Sequence, residues 1–360
     1  MAAGFACNGV DLRKRVPLAT MGGGAGNDVW GWADPQTGRE YALVGLDNGT
    51  AFVDVTNPEA PVFLGRLPTR TFASTWRDIK VYQDHAYIVA DGAGAHGMQV
   101  FDLTRLRGLA GPQNFSPDRM YLEFANSHNL AINEDTGFAY AVGTNRCGGG
   151  LHIIDIRTPN NPMYAGCYGP PYTHDTQCVI YHGPDDRYTG REICFSANET
   201  HVAIVDVTTK SSPTTLAQVT YSQRGYVHQG WLTEDHRHFF LGDEFDELQH
   251  DVPTRTHVFD FASLTAPQYL YAYEAETRAP DHNLYVLGNR VFQANYTVGL
   301  RVLEFGDLAA AEIEEIAFFD TFPASDARAF NGAWSVYPYL PSGNLLVSDM
   351  QGGLFILTLR

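Results

Sequence analysis

The 360-residue sequence predicts an all-β fold, a seven-bladed β-propeller of four-stranded antiparallel blades. Three observations predict it. A degenerate strand motif recurs with first positions 27, 77, 128, 174, 228, 282 and 331, at gaps of 50, 51, 46, 54, 54 and 49. Seven copies at a near-constant period mark a repeat architecture. Each repeat then reads as four short runs of apolar, aromatic and β-branched residues bounded by Gly, Pro, Asn and Asp. Finally, repeat seven stops after its third strand, Leu354–Leu359, while Val10–Ala19 ahead of repeat one has strand character. That N-terminal strand is expected to complete the last blade and close the ring, leaving only short, protected edges. A solenoid would need capping repeats rather than a split one. Residues 1–360 are expected to form a single domain.

Repeat one shows the elements in order. Asp28–Trp32 is predicted to be the inner strand, Glu40–Gly45 the second, Thr50–Val55 the third and Val62–Leu67 the outer one. Turn clusters separate them at 34–38, 47–49 and 57–61. The third strand carries an acid near its end six times: Asp54, Asp102, Asp155, Asp206, Asp260 and Glu304. Six equivalent catalytic sites are implausible, so these acids are expected to satisfy turn amides. The longest irregular insertion is Glu244–Arg255, in repeat five. Its acidic start, Asp243–Glu247, reads as a solvated loop, with an oxygen-rich ion site as the alternative.

Composition narrows the function. Lys plus Arg number 24 against 41 Asp plus Glu, a net charge of -17. That argues against nucleic acid and anionic membrane surfaces, which need a basic face. No apolar run approaches the roughly 20 residues of a membrane span. The start, Met1-Ala2-Ala3-Gly4, has no signal-peptide character and reads as a start codon placed on a mature sequence. The five cysteines form no CxxC pattern. With repeat four's first strand starting at His174 and its second ending near Asn198, Cys178 and Cys194 fall opposite one another. Cys147 and Cys167 lie in repeat three on a loop and a strand end that should share a face. Two disulfides are therefore expected, with Cys7 unpaired, and with them an oxidising compartment.

In a propeller the first strand of every blade is innermost, so the seven first positions should ring the axis at one end. They are Asn27, Arg77, His128, His174, His228, His282 and Asn331. Four consecutive histidines at equivalent positions are hard to explain as isolated structural residues. We expect His128, His174, His228 and His282 to hold a divalent transition metal: zinc, manganese, iron or copper. Acids at the second turn, Asp47, Asp91, Asp243 and Asp349, could orient the far ring nitrogens. Asp243, Glu244 and Tyr296 are the expected proton carriers. Arg77, Asp78, Gln229 and Asn295 are the expected substrate contacts. Arg77 has two open readings: anchoring an anionic group, or pairing with Asp28 or Asp78 to plug the channel. The other nine histidines share no register and read as surface or loop residues.

Several stretches resemble the choice-of-anchor B family of LVIVD-repeat proteins. They are Asn27–Trp32, Trp76–Tyr82, His96–Asp102, Thr173–Cys178, His228–Thr233 and Asn295–Arg301. The resemblance implies a secreted or surface-associated β-propeller, in a family whose members carry different C-terminal sorting anchors. This sequence ends at Arg360 without one. The family has no settled activity to carry over. The leading expectation is a metal-dependent lyase or hydrolase acting on an extracellular small molecule or glycan. The alternatives are a four-histidine iron oxygenase and a non-enzymatic surface-binding propeller. Two fold-level analogies support a metal on the axis: carotenoid-cleaving oxygenases, and oligosaccharide lyases that use histidines with a glutamine.

Overall fold

A computed structural model describes residues 4–360, so Met1, Ala2 and Ala3 lie outside it. Seven antiparallel sheets follow one another, each with four strands running from the channel outwards. In blade 1 these are Gly26–Ala33, Glu40–Leu46, Gly49–Asp54 and Val62–Pro68. The inner strands of blades 2 to 7 are Arg77–Tyr82, Asn129–Asn133, Asp175–Ile180, Val227–Leu232, Asn283–Leu287 and Ala333–Tyr337. Blade 7 is completed by Val10–Val16, which pairs antiparallel with Gly353–Leu359. The strand is shorter than expected because Pro17 ends it and a helical turn, Leu18–Met21, follows.

Two attachments were not legible in the repeats. Cys7–Asn8 pairs with Ile313–Phe319 of blade 6, so the N-terminal segment fastens two neighbouring blades. Gln113–Asn114, from the insertion in blade 2, adds in parallel to the outer strand of blade 1. Gly65 at that contact has φ +125°, and a Cβ there would lie 2.0 Å from the Gln113 carbonyl oxygen. The junction therefore needs glycine.

The acids near the ends of the third strands do brace turns. Asp54, Asp102, Asp155, Asp206 and Asp260 each accept the backbone N–H two residues on. Arg39, Arg157, Arg191 and Arg237 close over four of them as ion pairs. Glu304, one methylene longer, pairs with Arg290.

Both disulfides form as expected. Cys178 and Cys194 are direct cross-strand partners with Cα atoms 4.0 Å apart, and Cys147–Cys167 spans 5.5 Å. Cys7 is free.

Two expectations are corrected. The stretch after Asp243 is not a solvated loop: it forms a short helix, Asp246–His250, with Asp246 and Glu247 fully buried. Nor are all the remaining histidines superficial. His96, His152 and His257 are buried, against Arg77, Tyr121 and Asp246 respectively.

Candidate functional site

The inner strand of each blade has one edge paired with its neighbour and the other facing the channel, where its N–H groups need acceptors. Side chains of the preceding blade supply them. Ile79 N–H donates to Asp28 at 3.0 Å, Leu130 to Asp78 at 2.6 Å, Leu232 to Gln177 at 2.8 Å and Leu284 to Gln229 at 2.9 Å. This device places several expected substrate contacts. Gln229 is held at both ends, because its Nε2 also donates to Leu284 O. Asp78 further accepts from Lys80 Nζ at 2.6 Å. Both act as inter-blade clamps. Arg77 donates to Leu46 O and lies 3.3 Å from His96 Nε2, so it pairs with neither Asp28 nor Asp78. Asn295 is a buried turn residue beside Tyr296.

The four histidines do come together, as an arc at one end of the channel. Ring centroids are 4.3 Å apart for His128–His174, 4.1 Å for His174–His228 and 4.5 Å for His228–His282. Tryptophans flank the arc. Trp334 meets His282 edge-on with ring centroids 4.8 Å apart, and Trp76 lies 6.4 Å from His128. Asn331 is not the seventh member; it bonds to Gln351 instead. The register of blade 7 shifts between Ala333 and Ser335, and that bulge turns Trp334 to the ring position.

Three of the four imidazoles are oriented from behind, while Nδ1 of His228 is buried without a hydrogen-bond partner. Nδ1 of His174 faces His228 O at 3.0 Å, and Nδ1 of His282 faces Trp334 O at 2.5 Å. Carbonyl acceptors fix Nδ1 as the protonated nitrogen and leave Nε2 as a lone-pair donor, the tautomer a metal ligand needs. His128 alone uses a second-turn acid, Asp91, at 3.0 Å. Burial drives His174 and His228 well below the ordinary histidine range, and His282 down to about 3. His174, His228 and His282 are therefore neutral imidazoles over most of the working pH range.

Glu244 faces this arc. Its carboxylate lies 3.8 Å from His228 Nε2 and 3.9 Å from His282 Nε2, and accepts the Tyr296 phenol at 2.5 Å. Burial raises its pKa to about 7. One ligand atom each from His228, Glu244 and His282 fall within 4.8 Å of one another. Two imidazoles and a carboxylate form a donor set for zinc, iron or manganese. Glu244 thus stands where a ligand would, rather than only as a proton carrier. Asp243 is committed elsewhere, accepting Tyr221 OH and the amides of Gly225, Tyr226 and Phe245. The space among the histidines, about 10 Å³ for water centres, admits one water or ion. Exposed Trp76 and half-exposed Phe330, the latter packed on Tyr296, form an aromatic rim beside it.

Comparison with known proteins agrees with this architecture. Residues 39–69 match the LVIVD repeat. No curated protein matches the chain in sequence. Among solved structures, U3-55K aligns with a TM-score of 0.62 at 9% identity, covering 97% of this chain and 98% of its own. The β-propeller domain of Cps50 (Swd1) from Myceliophteria thermophila aligns with a TM-score of 0.58 at 10% identity, covering 94% and 98%. A protein from Lactobacillus plantarum gives 0.57 at 13% identity, covering 90% and 89%. At these identities the likeness establishes the fold alone. The chain is a seven-bladed β-propeller carrying an LVIVD repeat, and no described helix is long and apolar enough to cross a membrane.

Proposed function

We propose that the histidine end of the channel holds one divalent transition metal on His228, His282 and Glu244, and that the protein is a metal-dependent lyase or hydrolase. Its substrate would be a small molecule or glycan unit met outside the cell, at the aromatic rim. The observation that carries this reading is the placement of two Nε2 atoms 3.8 and 3.9 Å from the oxygens of one carboxylate. His174 adjoins as a further nitrogen donor, and the His128–Asp91 pair sits at the solvent edge, where it can pass a proton. Zinc, manganese, iron or copper would suit these donors, and such an ion would polarise a carbonyl or activate water. Tyr296 holds Glu244 in place through its phenol. Two disulfides support secretion or surface display.

Elemental analysis of untagged, dialysed protein tests the site. Near-stoichiometric metal is expected in the parent and its loss in a His228→Ala/His282→Ala variant. A parent that stays empty after reconstitution with each of the four ions, or a double variant that keeps its metal, overturns the assignment. Metal-dependent turnover that persists without dioxygen separates this reading from an iron oxygenase. A non-enzymatic binding propeller is the second reading. It is favoured by the small space among the histidines, which leaves any substrate to be held on the rim.

A further inference from the structure

A larger space lies at the opposite end of the channel. The residues lining it start one position after the histidines, at Asp175 and Gln229, and run on to Trp231, Glu234 and Tyr285. At about 3.3 Å per residue, Trp231, Tyr285 and Glu234 lie roughly 10–20 Å further down the channel. The cavity measures about 350 Å³, within the range of about 300–1,000 Å³ typical of small-molecule sites.

One wall is a continuous run of aromatic rings. Trp231 contacts Tyr285 at 4.9 Å, Tyr285 contacts Trp30 at 5.7 Å, Trp30 contacts Tyr337 at 5.0 Å, and Tyr337 contacts Tyr339 at 5.4 Å. Facing it are Lys80 and Asp175. The Lys80 ammonium is already satisfied, with Asp78 at 2.6 Å, Asp28 at 3.8 Å and the Trp30 ring at 4.5 Å. Asp175 has no such partner. Its Oδ1 accepts Thr176 N–H at 2.6 Å, while its Oδ2 accepts no hydrogen bond. Glu134 and Glu234 stand exposed at the mouth. The lining carries one ammonium, Lys80, against the carboxylates of Asp175, Glu134 and Glu234, which disfavours anionic ligands. A ligand without a cationic or N–H group would leave the second Asp175 oxygen without a hydrogen-bond partner. An aromatic wall facing a carboxylate is instead the chemistry that recognises an alkylated ammonium group.

We propose that this pocket binds a small organic ammonium ion, its cationic head between Asp175 and the aromatic wall. The proposal does not depend on the metal reading, because the two sites share no lining residue.

The test uses the full chain with choline as probe and 3,3-dimethylbutan-1-ol as its uncharged isostere. Calorimetry and the fluorescence of Trp30 and Trp231 read the binding. Saturable choline binding is expected, about tenfold or more tighter than the alcohol. Asp175→Asn and Trp231→Leu should each weaken it about tenfold, while His228→Ala/His282→Ala leaves it unchanged. Tyr339→Leu, at the outer end of the wall, guards against a folding defect in the Trp231 variant. Equal affinity for the two probes overturns the proposal. So does choline displacement by a neutral monosaccharide, unchanged affinity in a folded Asp175→Asn variant, or no binding at about 10 mM choline, where a millimolar site would be mostly filled.

Discussion

Tyr296 donates its phenol to Glu244 at 2.5 Å across the junction of blades 5 and 6, and the same carboxylate faces His228 and His282. The bond stabilises the ionised carboxylate against a burial effect that raises its pKa to about 7. Removing the phenol should raise that pKa further. Tyr296→Phe is therefore expected to weaken metal affinity about 10–100-fold at neutral pH, the usual cost of losing an outer partner of a ligand. The loss should shrink as pH rises and Glu244 ionises unaided. Metal titrations between pH 6 and pH 9 would show it.

The same carboxyl makes a stability prediction of definite sign. Its folded pKa of about 7 lies above the ordinary glutamate value of 4.5, so between those values the folded protein binds more protons than the unfolded one. Without metal, Glu244 costs nothing below that window and progressively destabilises as pH climbs through it. Glu244→Gln abolishes this dependence. Denaturation of apo protein should show the variant gaining on the parent with rising pH, by up to about 3 kcal/mol above pH 7. Zinc should then stabilise the parent and leave the variant unmoved.

Gln229 separates an inter-blade clamp from a substrate contact. Its amide both donates to and accepts from Leu284, closing blade 5 against blade 6. Gln229→Ala leaves a buried N–H and C=O without partners, at a cost of about 1–3 kcal/mol each. A lower midpoint of unfolding with unchanged metal content is the expected outcome. Unaltered stability would return Gln229 to the candidates for ligand contact.

Much of the architecture was legible because a propeller writes its period into the sequence. The four histidines, the turn-bracing acids and both cysteine pairs follow from position within a repeat. What failed were places where local geometry breaks the repeat. Blade 5 bulges at His228 as blade 7 does at Trp334, so Trp334 is the true counterpart of His228, and the degenerate motif aligned Asn331 three residues too early. The clamp roles of Asp78 and Gln229 depend on the next blade's backbone, which a motif does not show. Burial of Asp246 and Glu247 reflects a helix folded back into the body, with Arg255 pairing Asp246. The lower pocket was invisible because Trp231, Tyr285 and Tyr337 read as ordinary strand aromatics.

The cysteines make a chemical prediction. Without reductant, unfolded protein should take up one alkyl group, at Cys7, and after reduction five. Replacing Cys178 and Cys194 together by alanine should cost about 3 kcal/mol, as expected for a loop of this size. Mass spectrometry and denaturant unfolding read the two effects.

The closing strand carries the last prediction. Val10–Val16 covers the outer edge of Gly353–Leu359, and Cys7–Asn8 reaches on to blade 6. Deleting residues 1–16 would expose a row of unpaired N–H and C=O groups on an apolar strand, a template for pairing between chains. It would also remove Val10 and Val16 from the core. The truncated chain should aggregate, or recover when a synthetic peptide of residues 4–18 is supplied in trans. Recovery by that peptide, and not by one with proline at Leu12 and Lys14, would show that the strand's ladder rather than its mass closes the ring, since Leu12 and Lys14 lie in register with Leu357 and Ile356. A truncated protein that stays monomeric with its melting temperature intact would place the closure elsewhere.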